Sequence, residues 1–192
     1  MFLKKTTSLI EFDIKFDVAK LNESVASIAS KVDWDQNQIS LQHRDGVTEL
    51  NDGIGSIWYK PGEAQSDSEF RNFYSEFEDE YLVQALQSLP FNVYRTRIMC
   101  IQPKRCYTIH EDKAIRFHIP VDTAERKGRF IFDHGEVLNL EEGSVYVLNT
   151  KLTHTALNAH PKLPRIHIVG CLEDVDETTH PVMQDIYRTF EL

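Results

Sequence analysis

The sequence predicts a mainly β single domain, a closed sandwich or jelly roll with helices packed on its outside. Three observations lead there. The 192 residues are 41% hydrophobic, enough for one domain to close a core around a site. After Pro90, short β-branched or aromatic runs alternate with turn residues, eight of them in about 80 residues, too dense for βαβ units. No repeat, low-complexity tract or Gly/Ser-rich linker divides the chain. The expected organisation is a helical and loop buttress over 1–92, a β core over 93–172 and a C-terminal helix or tail over 173–192.

In chain order, Leu9, Phe12, Ile14 and Phe16 fit a short strand approximately. Asp17 is placed to cap a helix whose Leu21, Val25 and Ile28 share one face. Residues 51–61 read as loop, with Gly53, Gly55, Pro61 and Gly62 as breakers. Phe70, Phe73, Phe77, Tyr81 and Ala85 then recur at helical spacing behind Ser66 or Ser68, predicting a helix that Pro90 stops. Seven acids and one base between 63 and 80 read as its solvated face. The eight strands follow: Val93–Ile101, Cys106–Ile109, Ala114–Ile119, Arg129–Phe132, Val137–Leu140, Ser144–Leu148, Thr153–Leu157 and Arg165–Leu172. Asp133-His134-Gly135-Glu136 reads as a hairpin turn.

Composition excludes several functions. The net charge of −9 is uneven: residues 1–92 carry eight basic and sixteen acidic side chains, and residues 93–192 carry thirteen and fourteen. Nucleic-acid binding needs clustered Lys and Arg, so no nucleic-acid partner is expected. Cys100, Cys106 and Cys171 are odd in number and form no CxxC, which fits a reducing compartment. No apolar run approaches the ~20 residues of a membrane helix, and Lys4 and Lys5 follow Met1 too soon for a signal peptide. The expectation is a cytoplasmic protein without a membrane partner; nothing in the sequence sets its oligomeric state.

A non-haem iron site needs two imidazoles and a carboxylate on one face of the metal, with the other positions open. His-x-Asp or His-x-Glu on a strand supplies two of them, because residues i and i+2 point the same way. The pattern occurs three times, at His43/Asp45, His110/Asp112 and His134/Glu136. The last flanks Gly135 in a solvent-facing turn, and the first lies in the polar N-terminal part. His110/Asp112 opens the β-rich region, and His154 and then Arg165 follow it at strand starts. Singly, His154 reads as an ordinary hydrogen-bonded histidine, Arg165 as an ion-pair partner, and His118 and His167 as polar residues on half-buried strands. The order His-x-Asp, distant His, Arg is what iron with a dicarboxylate co-substrate requires, the guanidinium gripping the far carboxylate.

Arg97-Ile-Met, Pro103, His110-Glu-Asp112, Arg116-Phe-His118-Ile-Pro, Gly143, Asn149-Thr, His154-Thr-Ala-Leu-Asn158 and Arg165-Ile-His-Ile-Val together resemble the aspartyl/asparaginyl β-hydroxylase family. These are Fe(II)/2-oxoglutarate-dependent oxygenases with a double-stranded β-helix (cupin-like) core. The resemblance spans Val93 to Leu172 and implies His110, Asp112 and His154 as catalytic iron ligands, Arg165 on the distal carboxylate of 2-oxoglutarate, and Arg116 and His118 on the same co-substrate. Asp112 stands where a halogenase would leave the position open. Met99 stands where the family's animal protein hydroxylase has a serine near the co-substrate.

The expected function is a dioxygenase that uses Fe(II), 2-oxoglutarate and O2 to hydroxylate an amino acid or similar small molecule, releasing succinate and CO2. Hydroxylation of an Asp, Asn or other residue in a peptide or protein is the alternative, and a cupin-like binding module without redox chemistry is a third. Arg97, alternating with Met99 and Ile101, is a candidate to hold a substrate carboxylate. The loop 51–62 has the composition of a lid, with Trp58 over the substrate; the competing reading makes Trp58 and Tyr59 a plug between helices and barrel.

Overall fold

A computed structural model describes residues 2–57, 66–172 and 180–192. Strands β1 (Phe2–Lys5) and β2 (Leu9–Lys15) precede helix α1 (Val18–Lys31), and β3 (Gln38–Ser40), β4 (Gln42–His43), β5 (Asn72–Phe73) and α2 (Tyr81–Gln87) come next. Eight core strands follow: β6 (Val93–Ile101), β7 (Arg105–Cys106), β8 (Arg116–Asp122), β9 (Gly128–Phe132), β10 (Val137–Leu138), β11 (Ser144–Leu148), β12 (His154–Asn158) and β13 (Arg165–Leu172). Helix α3 (Pro181–Phe190) comes last. Among the described residues the larger sheet runs β1-β2-β11-β8-β13-β6-β3 and the smaller β10-β9-β12-β7, with β4 and β5 paired apart. The core strands thus divide β6, β8, β11 and β13 from β7, β9, β10 and β12. This is the jelly roll of a double-stranded β-helix.

The larger sheet is buried on both faces, and the two-residue period of a strand sorts its side chains between them. Ile98, Phe117, Ile119, Val145, Val147 and Ile168 pack outward with Leu21, Val25 and Ile28 of α1, Leu82 and Leu86 of α2, and Met183, Ile186 and Phe190 of α3. Their neighbours face the smaller sheet, where Ile101, Tyr146 and Leu148 meet Phe130, Phe132 and Ala156. The rest of that inner face is polar and bounds a cavity.

Local chemistry explains the elements that match expectation. Asp17 caps α1 by accepting the Lys20 N–H at 3.2 Å, and Leu21, Val25 and Ile28 are its buried stripe. Phe132 N–H reaches Glu136 O and Gly135 N–H reaches Phe132 O across the expected hairpin, Gly135 having φ +93°.

Two expectations are corrected. The Phe70–Ala85 stripe is not one helix. Ser66 caps a single 3-10 turn over Asp67–Glu69, Asn72–Phe73 pairs with β4, a second 3-10 turn spans Ser75–Phe77, and only Tyr81–Gln87 is α-helical. Tertiary pairing overrides the spacing: Phe70 O accepts the Arg95 N–H and its ring packs on Ile57, while Phe77 joins the main core. The segment 1–92, expected as helices and loops with one short strand from Leu9 to Phe16, supplies that strand as β2 and adds β1 beside it on one edge of the larger sheet and β3 on the other. Among the described residues, no helix is long and apolar enough to cross a membrane.

Candidate active site

Backbone pairing brings distant parts of the sequence together at one end of the cavity. From β7 onward the chain runs antiparallel to β12: Cys106 opposes Leu157, Tyr107 N–H reaches Ala156 O, and His110 and His154 exchange N–H···O bonds of 3.0 and 2.9 Å. Asp112 N–H then reaches Thr150 O at 2.8 Å. Regular strand geometry stops at Cys106, short of the expected Ile109, because the Thr155 hydroxyl takes the Tyr107 carbonyl and Ile109 turns outward.

His110, Asp112 and His154 therefore converge, each offering a ligand atom within 4.8 Å of the others. Both imidazoles are oriented the same way. His110 Nδ1 donates to Thr108 O at 2.7 Å and His154 Nδ1 to Leu152 O at 2.8 Å. A carbonyl only accepts, so each Nδ1 carries the proton and each Nε2 is left with a lone pair. Those Nε2 atoms lie 4.0 and 3.8 Å from the Asp112 carboxylate. Phe130 stacks on the His154 ring at 4.9 Å. Burial lowers the His154 pKa, favouring the neutral ring that a metal needs.

Arg116 grips Asp112 from behind, with Nε to Oδ2 at 2.6 Å and Nη2 to Oδ1 at 3.1 Å, while Nη1 points to Cys171 Sγ at 2.8 Å. Burial alone would raise the Asp112 pKa. Arg116, by charge and hydrogen bonds, and then His154 and His110 hold the carboxyl below its usual value. The donor set, the shared orientation of the rings and the ionised carboxylate fit a divalent metal with two imidazole ligands and one carboxylate.

The cavity has a volume of about 340 Å³ and is lined by these three residues with Arg95, Arg97, Met99, Tyr107, Arg116, His118, Phe130 and Arg165, among others. Arg165 lies at the end of β13 away from Cys171 and Arg116, which pair across β13 and β8. Its guanidinium is buried, and its hydrogen-bond partner among the described residues is the His167 ring, at 3.0 Å from Nη2. Burial, opposed by Tyr107, lowers its pKa to about 10. Burial and then Arg165 hold His167 neutral, so the ring accepts rather than repels. Gly128 makes room here: a Cβ at this position would sit 2.6 Å from Arg165 Cδ.

His118 is neutral for the same reasons, burial first and then Arg165 and Arg116. Neither of its ring nitrogens has a partner among the described residues, which is costly for a buried polar group. A dicarboxylate would meet both needs, the unpaired Arg165 cation and an unbonded His118 nitrogen.

The other sequence candidates separate cleanly. His43 Nδ1 bonds Arg44 O, Asp45 takes the Asn72 amide, and neither lines the cavity. His134 and Glu136 sit on the hairpin outside it. Arg97 and Met99 do line the cavity. Trp58, expected on a lid, lies outside the described residues, as does Tyr59. The described part of that loop is tied down: Arg95 donates Nε to Gly53 O at 2.8 Å and Nη2 to Gly55 O, and Ile54 and Ile57 are buried. Sequence reasoning missed Arg95 as a cavity residue and His167 as the support of Arg165. Both were signalled by i, i+2 spacing, Arg95 to Arg97 and Arg165 to His167, on strands already recognised.

No family model and no curated protein matches the chain. Among solved structures, AviO1 from Streptomyces viridochromogenes Tue57 superposes with a TM-score of 0.50 at 13% identity, over 92% of this chain and 93% of that one. EvdMO1 gives 0.50 at 16% identity over 89% of this chain and 48% of EvdMO1, so this chain spans about half its length. HygX from Streptomyces hygroscopicus, solved with nickel, 2-oxoglutarate and hygromycin B, gives 0.47 at 10% identity over 86% and 82%. At such identities the likeness is one of fold.

Proposed function

We propose that this chain is an Fe(II)- and 2-oxoglutarate-dependent dioxygenase that hydroxylates a small molecule, an amino acid or a close analogue. One observation carries the reading: one cavity has the His110, Asp112 and His154 side chains at one end and toward the other the buried guanidinium of Arg165, which meets no carboxylate among the described residues. The motif resemblance to the aspartyl/asparaginyl β-hydroxylase family supports it and suggests membership there. The cavity's size suits a free small molecule rather than a folded partner, and the acidic balance speaks against nucleic acid. A cytoplasmic location fits the three free thiols.

His110, Asp112 and His154 would hold the iron, which with 2-oxoglutarate and O2 supplies an oxidant strong enough to hydroxylate an unactivated C–H bond as succinate and CO2 are released. The chain's own residues do the rest. Thr108 and Leu152 carbonyls keep both Nε2 lone pairs available, and Arg116 keeps Asp112 ionised and aimed. Arg165, backed by His167, binds the far carboxylate of the co-substrate, and His118 contacts it from β8 with a ring nitrogen. Phe130, Met99 and Val169 keep water from the remaining walls.

The test is anaerobic titration with Fe(II) and then 2-oxoglutarate, watching for the weak visible charge-transfer band, followed by a screen of amino acids for succinate release. Stoichiometric iron, a band that needs both components, and substrate-stimulated succinate are expected. Iron binding with no response to 2-oxoglutarate would overturn the reading.

A further inference from the structure

Four guanidinium groups line the cavity of a protein whose net charge is −9, and three of them have an assigned anion. Arg116 has Asp112, and Arg95 has Asp67 at 2.9 Å. Arg165 is allotted to the co-substrate in the reading above. Arg97 has none. It is 5% exposed, and its partner among the described residues is the neutral Gln38 amide, Nη1 to Oε1 at 3.0 Å. Its Nε is buried and unbonded. Burial, and then the charges of Arg95 and Arg116, pull its pKa down to about 9. An uncompensated buried cation is retained at a cost to stability, so a ligand that supplies the missing charge explains its presence.

We propose that Arg97 anchors a carboxylate of the primary substrate, which makes that substrate a small organic acid. The inference rests on the dioxygenase reading and adds to it the residue that selects the substrate by its carboxylate. Position separates this anchor from Arg165, which takes the co-substrate's far carboxylate, and sets it beside His118. Arg97 shares a rung with Val169 and His118 across β6, β13 and β8, whereas Arg165 pairs with Ile101. Those rungs are four residues apart along β6, about 13 Å. The Arg97 rung meets β8 at His118, two residues from Arg116, the residue that holds Asp112, so an acid bound there is on the side of the proposed metal. With Nη1 on Gln38, the open Nε edge offers the planar two-donor fork that matches a carboxylate. Only one positive charge is uncompensated at this point, which suits a carboxylate rather than a phosphate dianion.

The experiment uses the full chain, metal-free and carrying Arg165→Met so that one free cation remains. Arginine Nε–H resonances are followed by NMR during titration with propionate, propionamide and inorganic phosphate, and Arg97→Met identifies the Arg97 signal. Propionate is expected to shift that signal, propionamide to leave it in place, and phosphate to bind more weakly than propionate. Arg97→Lys, which keeps the charge without the fork, should bind propionate measurably but less tightly. An unmoved signal, an equal response to propionamide, or tighter phosphate binding overturns the proposal. In the iron- and 2-oxoglutarate-loaded wild type, carboxylic acids and not their amides should then stimulate succinate release. Arg97→Met should raise KM for the acid roughly 30-fold or more while leaving that for 2-oxoglutarate unchanged. The two readings fail separately. A propionate-responsive Arg97 without 2-oxoglutarate binding sinks the dioxygenase reading alone; 2-oxoglutarate binding beside an unresponsive Arg97 sinks the acid substrate alone.

Discussion

The two faces of the larger sheet are built from alternate residues of the same strands, yet they obey opposite rules. On β8, Phe117 and Ile119 point to the helices while Arg116 and His118 point to the cavity. On β13, Ile168 is core while Arg165 carries an unneutralised charge. The helix side buries apolar area and contributes stability at roughly 25 cal/mol per Å². The cavity side buries cations and unbonded imidazole nitrogens that cost stability until ligands arrive. A strand buried on both sides hides this in its hydropathy, because every residue of Arg116–Val121 is buried. Only the alternation separates what folds the protein from what it folds around.

Substitutions of neighbouring residues test that division, and the largest effect belongs to the proposed metal ligands. His154→Ala and Asp112→Ala should abolish iron binding after anaerobic reconstitution, measured by metal content, whereas His43→Ala should retain full occupancy. Phe117→Ala, one residue from the site but on the other face, should lose about 3–5 kcal/mol in denaturant unfolding while the folded fraction still binds iron. If Phe117→Ala changed iron affinity, the two faces would not be separable.

Arg165→Met should do the reverse. Removing an unpaired buried charge should stabilise the ligand-free protein by about 1–4 kcal/mol, and losing the charge-assisted contact should weaken 2-oxoglutarate by roughly 30-fold or more. A less stable Arg165→Met protein with normal co-substrate affinity would remove Arg165 from the site. Gly128→Ala, which displaces Arg165 by crowding Cδ, should weaken 2-oxoglutarate by about 1 kcal/mol or more and spare iron.

The smallest effect lies on the helix side. Glu80 accepts from Ser24 and Ser27 and pairs with Lys31, tying α1 to the start of α2. Burial raises its pKa, but Lys31 and the two serines more than offset that, so the folded value lies below the usual 4.5. A depressed carboxylate contributes stability above its unfolded pKa and loses it as pH falls through the folded one. Glu80→Gln should therefore cost about 1 kcal/mol at neutral pH and little well below pH 4. A constant difference across that range would mean Glu80 acts by packing.

The β core was legible where a strand is long enough to show its own composition and a turn has its own breaker; β7 and β10, two residues each, are shorter than the expected Cys106–Ile109 and Val137–Leu140. Val93–Ile101, Ser144–Leu148 and Arg165–Leu172 have the bounds their sequences predict. Short strands carry no such signal: Gln38–Ser40 is a strand because β6 offers it a partner, and Gln42–His43 and Asn72–Phe73 because they meet each other from distant parts of the sequence. The phenylalanines from 70 to 77 mimic a helix because separate turns and a short strand each turn one inward, Phe70 onto Ile57 and Phe73 and Phe77 onto the main core. In the site, the order of His110, Asp112, His154 and Arg165 placed all four on one cavity. What spacing did not reveal was which arginine meets which acid. Arg116 was expected on the co-substrate, but its two nitrogens on Asp112 depend on how the irregular stretch from 107 to 115 folds back.

The hairpin of β1 and β2 also governs when the barrel is finished. Leu9 pairs with Leu148, and the Asn149 side chain reaches back to Thr7 O beside Thr150, whose carbonyl accepts the Asp112 N–H. At about 5–20 residues per second, the ribosome delivers β11 roughly 7–30 s after β2 emerges. Throughout that interval β2 presents an open edge and the apolar Ile10 and Phe12 with no sheet to join. A nascent chain therefore carries this hairpin without its β11 partner until residue 148 has been made, and chaperone demand in that interval should fall on β1 and β2 rather than on the strands that form the cavity.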